Sequence, residues 1–355
     1  MPTTSIPSGT ARLSMNSKKF LTFFIAALLI AACGNKNKAE DPLADSGRTQ
    51  RTENLLSNLI AMGDSSVYLF GHHDDTVYGV GWQADYDSDT TVHVRSDVKS
   101  VCNDYPALLG LDLGRIETGD SVNQHGVPFS RIRQEAIAHY DRGGMVTLSW
   151  TFSGNPQADA VADFLNSLET PYGVKVPVLL RLRGTHQAKD WQTVVDCLRD
   201  HDVTNALYVY TPAGDPDGNE STYMQQYPGD DIIDILGIDS YCEAPEGDTT
   251  QIARYAAQMD KNLAMVCRLA KQHHKAAALT ETGYEGIKAT DWWTRTLAPV
   301  LARHAVSYVL LWRNAHHEGS HFFVPYPGQQ SASDFIRFYN DKQTLFLHDV
   351  NGLYF

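Results

Sequence analysis

From about Asn54 onward the chain repeats one rhythm of apolar and polar positions. Short runs rich in β-branched and aromatic residues fall at Val67–Gly71, Ala107–Asp112, Met145–Trp150, Pro177–Arg181, Ala206–Tyr210, Ile232–Asp239, Ala276–Glu281 and Ser307–Trp312. Stretches with helical spacing separate them, among them Phe129–Arg142, Ala158–Leu168, Trp191–Asp200, Thr250–His273 and Asp291–His304. Strand-like runs alternating with helix-like ones are the pattern of a parallel sheet, and eight such runs close a (β/α)8 barrel. The pattern predicts an α/β fold, a single (β/α)8 TIM barrel over residues 54–355. A doubly wound open sheet is the rival. It would usually carry a glycine-rich phosphate turn after its first strand, and Gly71-His72-His73-Asp74 is not one. Several runs end in a polar or aromatic residue: Asp112, Trp150, Arg181, Asp239, Glu281 and Trp312. Barrel enzymes keep their active sites at those strand ends.

The front of the chain follows a different pattern. Lys18 and Lys19 precede an apolar run, Phe20–Ala32, that is short for a membrane span and fits an export signal. The run closes with Ile30-Ala31-Ala32-Cys33, similar to a bacterial lipobox, which predicts lipidation at Cys33. Residues 1–32 are expected to be a signal peptide with an extension upstream of Met15, and residues 33–53 a flexible polar tether. The expected location is the cell envelope, on a membrane through a lipid anchor.

Composition narrows the function classes. Lys+Arg number 29 against 42 Asp+Glu, a net charge of -13, so the basic surface that nucleic-acid binding requires is missing. Besides Cys33 there are Cys102, Cys197, Cys242 and Cys267, without C-x-x-C spacing, and neither a metal nor a cofactor is expected. The chain is expected to be a monomer.

The sharpest chemical signal is Ala278-Leu279-Thr280-Glu281-Thr282-Gly283, an apolar strand ending in a carboxylate. Such a group suits the nucleophile of retaining glycoside hydrolysis. It attacks the anomeric carbon while a second carboxyl, roughly 5–5.5 Å away, protonates the leaving oxygen. Helix capping or pairing with a basic neighbour is the alternative use. Tyr78, Trp82, Trp150, Tyr241 and Trp312 stand at or just past strand ends, where sugar rings could stack on them; each could equally be core.

Several segments together resemble glycoside hydrolase family 26, the β-mannanase family. They are Tyr68-Leu69-Phe70-Gly71-His72-His73-Asp74-Asp75, Gly110-Leu111-Asp112, Gly144–Trp150, Val176–Arg181, Asp234–Tyr241, Leu279–Gly283 and Val309–Asn314. The resemblance implies Glu281 as nucleophile after strand 7, Tyr241 as its hydrogen-bonding neighbour after strand 6, and Trp312 as a sugar platform. Trp150, Trp82, His72 and Arg181 complete the expected substrate contacts. The implied activity is that of a retaining endo-β-1,4-mannanase acting on mannan, with xylan and mixed-linkage glucan as related substrates.

One segment departs from the family. Its acid/base glutamate follows strand 4 in the form Arg-Pro-aromatic-His-Glu, before a tryptophan-rich loop. Here the chain reads Arg181-Leu182-Arg183-Gly184-Thr185-His186-Gln187-Ala188-Lys189-Asp190-Trp191, and a helix arrives early. The loop after strand 3 is also short. General acid catalysis contributes roughly 10²–10⁴-fold, so weakened hydrolysis is expected. His186, Asp190, Glu117 and Glu243 are positional substitutes, whereas Gln187 can donate a hydrogen bond but no proton; no acid/base is assigned. The alternative function is a catalytically silent, saccharide-binding surface lipoprotein.

His317-Glu318-Gly319-Ser320-His321 has the H-E-x-x-H pattern of zinc peptidases, which works only on a helix. The Gly-Ser interior and the following Phe322-Phe323-Val324-Pro325 predict a loop, with His316 and His317 on the cleft rim. Asp215, Asp217, Asn219 and Glu220 fit no standard calcium loop.

Overall fold

The computed structural model describes residues 41–44, 46–87, 95–151, 158–184 and 187–355. Eight parallel strands carry the fold: β1 (Tyr68–His73), β2 (Leu108–Asp112), β3 (Met145–Thr151), β4 (Val178–Arg183), β5 (Ala206–Tyr210), β6 (Ile235–Cys242), β7 (Ala276–Tyr284) and β8 (Tyr308–Leu311). Each pairs with the next, and β8 pairs with β1 to close the predicted barrel. The helices include α1 (Gln50–Met62), α2 (Asp97–Cys102), α3 (Phe129–Asp141), α4 (Asp159–Ser167), α5 (Ala188–Asp200), α6 (Glu220–Met224) and α7 (Thr249–His273). The expected helix at 291–304 is a π turn, Trp293–Leu297, followed by Ala298–Leu301. Pro299 has no N–H to continue an α ladder through that point. Among the described residues no helix is long and apolar enough to cross a membrane.

Side chains alternate across each strand. Leu69, Met145, Leu179, Leu207, Ile235 and Leu310 fill the inside of the cylinder, while Phe70, Val146, Leu180 and Leu236 face the surrounding helices. Helix α1 closes the amino-terminal end. Its Leu55 and Leu59 join the inner cluster, and the Leu59 carbonyl accepts the Ser307 hydroxyl at 3.0 Å.

The described part of the expected tether is therefore attached. Thr49 caps α1 by accepting from the Thr52 N–H, and Arg48 grips Asp234, just before β6, with two bonds of 2.8 Å. The overlooked signal is the helical spacing of Leu55, Leu59 and Met62, which needs a cap upstream of residue 54. Cys33 and the leader lie outside the described residues.

Removing one partner of a buried ion pair strands the other charge. Arg48→Ala should lower the unfolding free energy by about 3 kcal/mol in urea titrations. Glu53→Ala removes the looser 3.6 Å partner of Arg48 and the exposed acceptor of the Ser46 hydroxyl, and should cost under about 1 kcal/mol.

Candidate active site

Alternation decides which side chains reach the barrel mouth. On β4, Leu179 faces inward, so Arg181 and Arg183 do too, with Leu180 and Leu182 outside. On β6 the inward series from Ile235 continues through Gly237 to Asp239 and Tyr241. Strict alternation from Ala276 and Ala278 would turn Thr280 inward and Glu281 outward. The pairing, however, slips by one residue on both sides of β7. Ile238 and Asp239 oppose Leu279 and Glu281, and Val309 and Leu311 oppose Leu279 and Thr282. This extra residue is a β-bulge, and it brings both Thr280 and Glu281 inside. Gly237 makes the room: a Cβ there would lie 2.3 Å from Thr280 Cγ2.

Glu281 is 1% exposed, and its carboxylate is fully engaged. Tyr241 donates to Oε2 at 2.8 Å and Arg181 donates to Oε1. Arg183 Nε lies 3.2 Å from Oε1, and Arg183 Nη2 donates to Oε2 at 3.3 Å. Arg181 also donates to Asp239 Oδ1 at 2.8 Å, which accepts the Thr280 hydroxyl at the same distance. Burial alone would raise the Glu281 pKa. The guanidiniums of Arg181 and Arg183 outweigh that, with help from His73 and Tyr241, and hold it below its ordinary 4.5. Burial is also the largest influence on Asp239. There Arg181 opposes it and the Glu281 charge adds to it, and the carboxyl is pushed up to about 6. Two neighbouring carboxyls are thus driven apart, and the one on β7 stays ionised as a nucleophile must.

Trp312 follows β8 and is half-buried beside this group. The His73 ring lies 4.6 Å from it and the Arg183 guanidinium 4.5 Å over it. Asp112 ends β2, accepts from Ser149 Oγ and Gln124 Nε2 at 3.1 Å, and stands 3.9 Å from Arg183. The ends of β4, β5 and β6 and the first half of α7 border an open cleft of about 1080 Å3, with Arg181, Arg183, Asp239, Tyr241, Glu243 and Arg254 among its lining.

Glu281, Tyr241, Arg181 and Trp312 are thus brought together as expected; three other residues are not. Trp150 is fully buried in the outer layer, because Ser149 takes the inward position on β3, and its Nε1 donates to Glu117 at 2.9 Å. That occupies Glu117 as well. His72 shares the outward face of β1 with Phe70 and bonds Asp75 at 2.7 Å; His73 takes the place foreseen for it. Trp82 lies in a two-stranded hairpin, donates to Asp97 at 2.8 Å and is covered by Arg95. Strand parity was the signal that would have separated Trp150 and His72 from Ser149 and His73.

Among the substitute acids, Asp190 accepts from the Gln187 N–H at the start of α5, Glu243 is exposed on the cleft wall, and His186 lies outside the described residues. The H-E-x-x-H segment is a loop, with His321 bound to Glu285 at 2.8 Å. His316 packs against Tyr78 rather than Trp312. The acidic loop is accounted for by its partners: Asp215 takes Asn262, Asp217 takes Lys261, Asn219 caps α6 and Glu220 takes Arg268. Among the described residues one trio, Asp159, Cys197 and His201 on the outer helices, groups potential metal ligands, which spacing along the sequence did not show.

The family model for glycosyl hydrolase family 26 matches residues 155–283, a span that contains Arg181, Asp239, Tyr241 and Glu281. A family 26 β-mannanase from Bacteroides ovatus is 37% identical, with a TM-score of 0.77, and the alignment covers 86% of this chain and 98% of that one. An endo-β-1,4-mannanase double mutant from Cellulomonas fimi is 25% identical with a TM-score of 0.72, over 90% of this chain and 79% of that one. A mannan endo-1,4-β-mannosidase from Bifidobacterium adolescentis is 26% identical over 366 residues, 85% of this chain and 35% of that protein. The chain thus spans about a third of that curated relative's length. Sequence match, barrel superposition and the Arg181–Glu281–Tyr241 geometry converge: this chain belongs to glycosyl hydrolase family 26.

Proposed function

We propose that this chain is a retaining glycoside hydrolase of the endo-β-1,4-mannanase type, with Glu281 as nucleophile and with weak turnover because its general acid is missing. The observation that carries the reading is the ionised Glu281 on the β7 bulge, held by Tyr241 and Arg181 beside Trp312. Glu281 Oε attacks the anomeric carbon as the bond to the leaving oxygen breaks; water then displaces the carboxylate from the same carbon. The leaving oxygen needs a proton in the first step. No glutamate occurs between Glu169 and Glu220, so none follows β4. The names of the relatives support mannan as substrate. The apolar run before Cys33 supports a lipid anchor and a place in the cell envelope. The lack of any glutamate between Glu169 and Glu220 also favours a second reading, a saccharide-binding protein without turnover.

A β-mannoside with a dinitrophenolate leaving group needs no protonation. The chain should turn it over slowly, with all activity lost in Glu281→Ala, while mannan hydrolysis runs at least about 10²-fold slower than expected for an enzyme with its acid in place. Mannan turnover on a par with the activated glycoside would remove the missing-acid reading. Binding of manno-oligosaccharide with neither substrate cleaved would select the silent one.

The electrostatics make a separate prediction. In a carboxyl ¹³C NMR titration Asp239 should have its midpoint near pH 6, moving downward in Glu281→Gln because the adjacent negative charge is gone. The unfolded chain releases this proton at an ordinary 3.8, so the Asp239 contribution to stability is complete below that pH and is lost as pH rises through about 6. Glu281 acts in the opposite sense: its contribution is present above 4.5 and is lost as pH falls through its lowered value.

A further inference from the structure

Arg183 touches both halves of the proposed sugar site. Its Nε stands 3.2 Å from one Glu281 oxygen and its Nη2 donates to the other at 3.3 Å, while its guanidinium carbon lies 4.5 Å from the centre of the Trp312 ring. Nη1 is 3.9 Å from Asp112 on the far side. A sugar with its anomeric carbon in reach of Glu281 and its apolar face on Trp312 requires the volume in which this guanidinium lies. Ring and guanidinium cannot occupy it together. The placement is built in: Arg183 extends β4, pairs with Thr151 and is turned inward by the outward Leu182.

Resting on the saccharide reading of this site, we propose that Arg183 is a specificity-determining residue that occupies the glycone position as a built-in competitor for sugar. Binding then requires its side chain to leave Glu281 and Trp312. The exit is the adjoining cleft, whose lining includes Arg183 together with the carboxylates of Asp215, Asp239 and Glu243. The chain turns directly after it at Gly184, whose φ of +86° is one that glycine adopts without strain. The cleft gives the side chain a second position to move into, and a ligand that needs the first position selects that second one.

The test uses the full chain, with mannotetraose binding by calorimetry and steady-state kinetics on the activated aryl β-mannoside. Arg183→Ala and Arg183→Ser should each bind mannotetraose at least tenfold more tightly than the parent. They should lower KM for the aryl glycoside by a similar factor, with a smaller change in kcat. A purely structural role for Arg183 would not separate KM from kcat in this direction. Unchanged or weaker binding in both variants, with binding by the parent intact, would overturn the competitor role and leave the saccharide reading standing. Absence of binding and turnover in parent and variants alike would overturn both.

Discussion

A carboxylate stays ionised inside a protein only where a cation and hydrogen bonds replace the water it has lost. At the mouth of this barrel Arg181 meets that condition. It is 3% exposed and bridges Glu281 on β7 and Asp239 on β6, two acids on neighbouring strands that would otherwise repel each other in a low-dielectric setting. Arg181 serves both carboxylates, whereas Arg183 adds its charge chiefly at Glu281 and burial dominates at Asp239. The imbalance appears in the divergence of the pair, Glu281 lowered and Asp239 raised to about 6. The hydroxyls of Tyr241 and Thr280 then fix which oxygens remain accepting. The functional reading follows from this local balance more than from any single residue.

The barrel was legible because its strands are buried on both faces and read as unbroken apolar runs separated by helical spacing. The site was only partly legible. Trp150 and His72 were assigned by their place at a strand end, but what matters is parity, and in each case the adjacent residue, Ser149 or His73, holds the inward position. Glu281 reaches the mouth, as its place at a strand end suggested, although parity alone would have turned it outward. The β7 bulge reverses that parity, and nothing in the run Ala276–Glu281 announces an extra residue. A bulge depends on how two neighbouring strands register with the third, which no single segment encodes. The attachment of residues 48–53 was hidden for a similar reason, since Arg48 finds its partner 186 positions away.

The stretch from the end of β4, without a glutamate as far as Glu220, is also where Arg183 sits. Where a strand ends at Arg181 and the chain then leaves the barrel, the next residues are free to carry chemistry outward. Here β4 continues to residue 183 before Gly184 turns the chain. By alternation, residue 183 is then committed to the mouth, two places above Arg181 and against Glu281. An apolar side chain there would leave Glu281 sharing one guanidinium with Asp239, and an acidic one would add a further negative charge. Arginine adds a second cation to a mouth that holds Glu281, Asp239 and, 3.9 Å away, Asp112, and it lies over Trp312, a contact that large aromatic rings offer to guanidinium. The same geometry that satisfies the buried charges therefore fills the sugar-sized space beside them. Electrostatic stability of the empty site and its openness to substrate are set against each other through a single side chain.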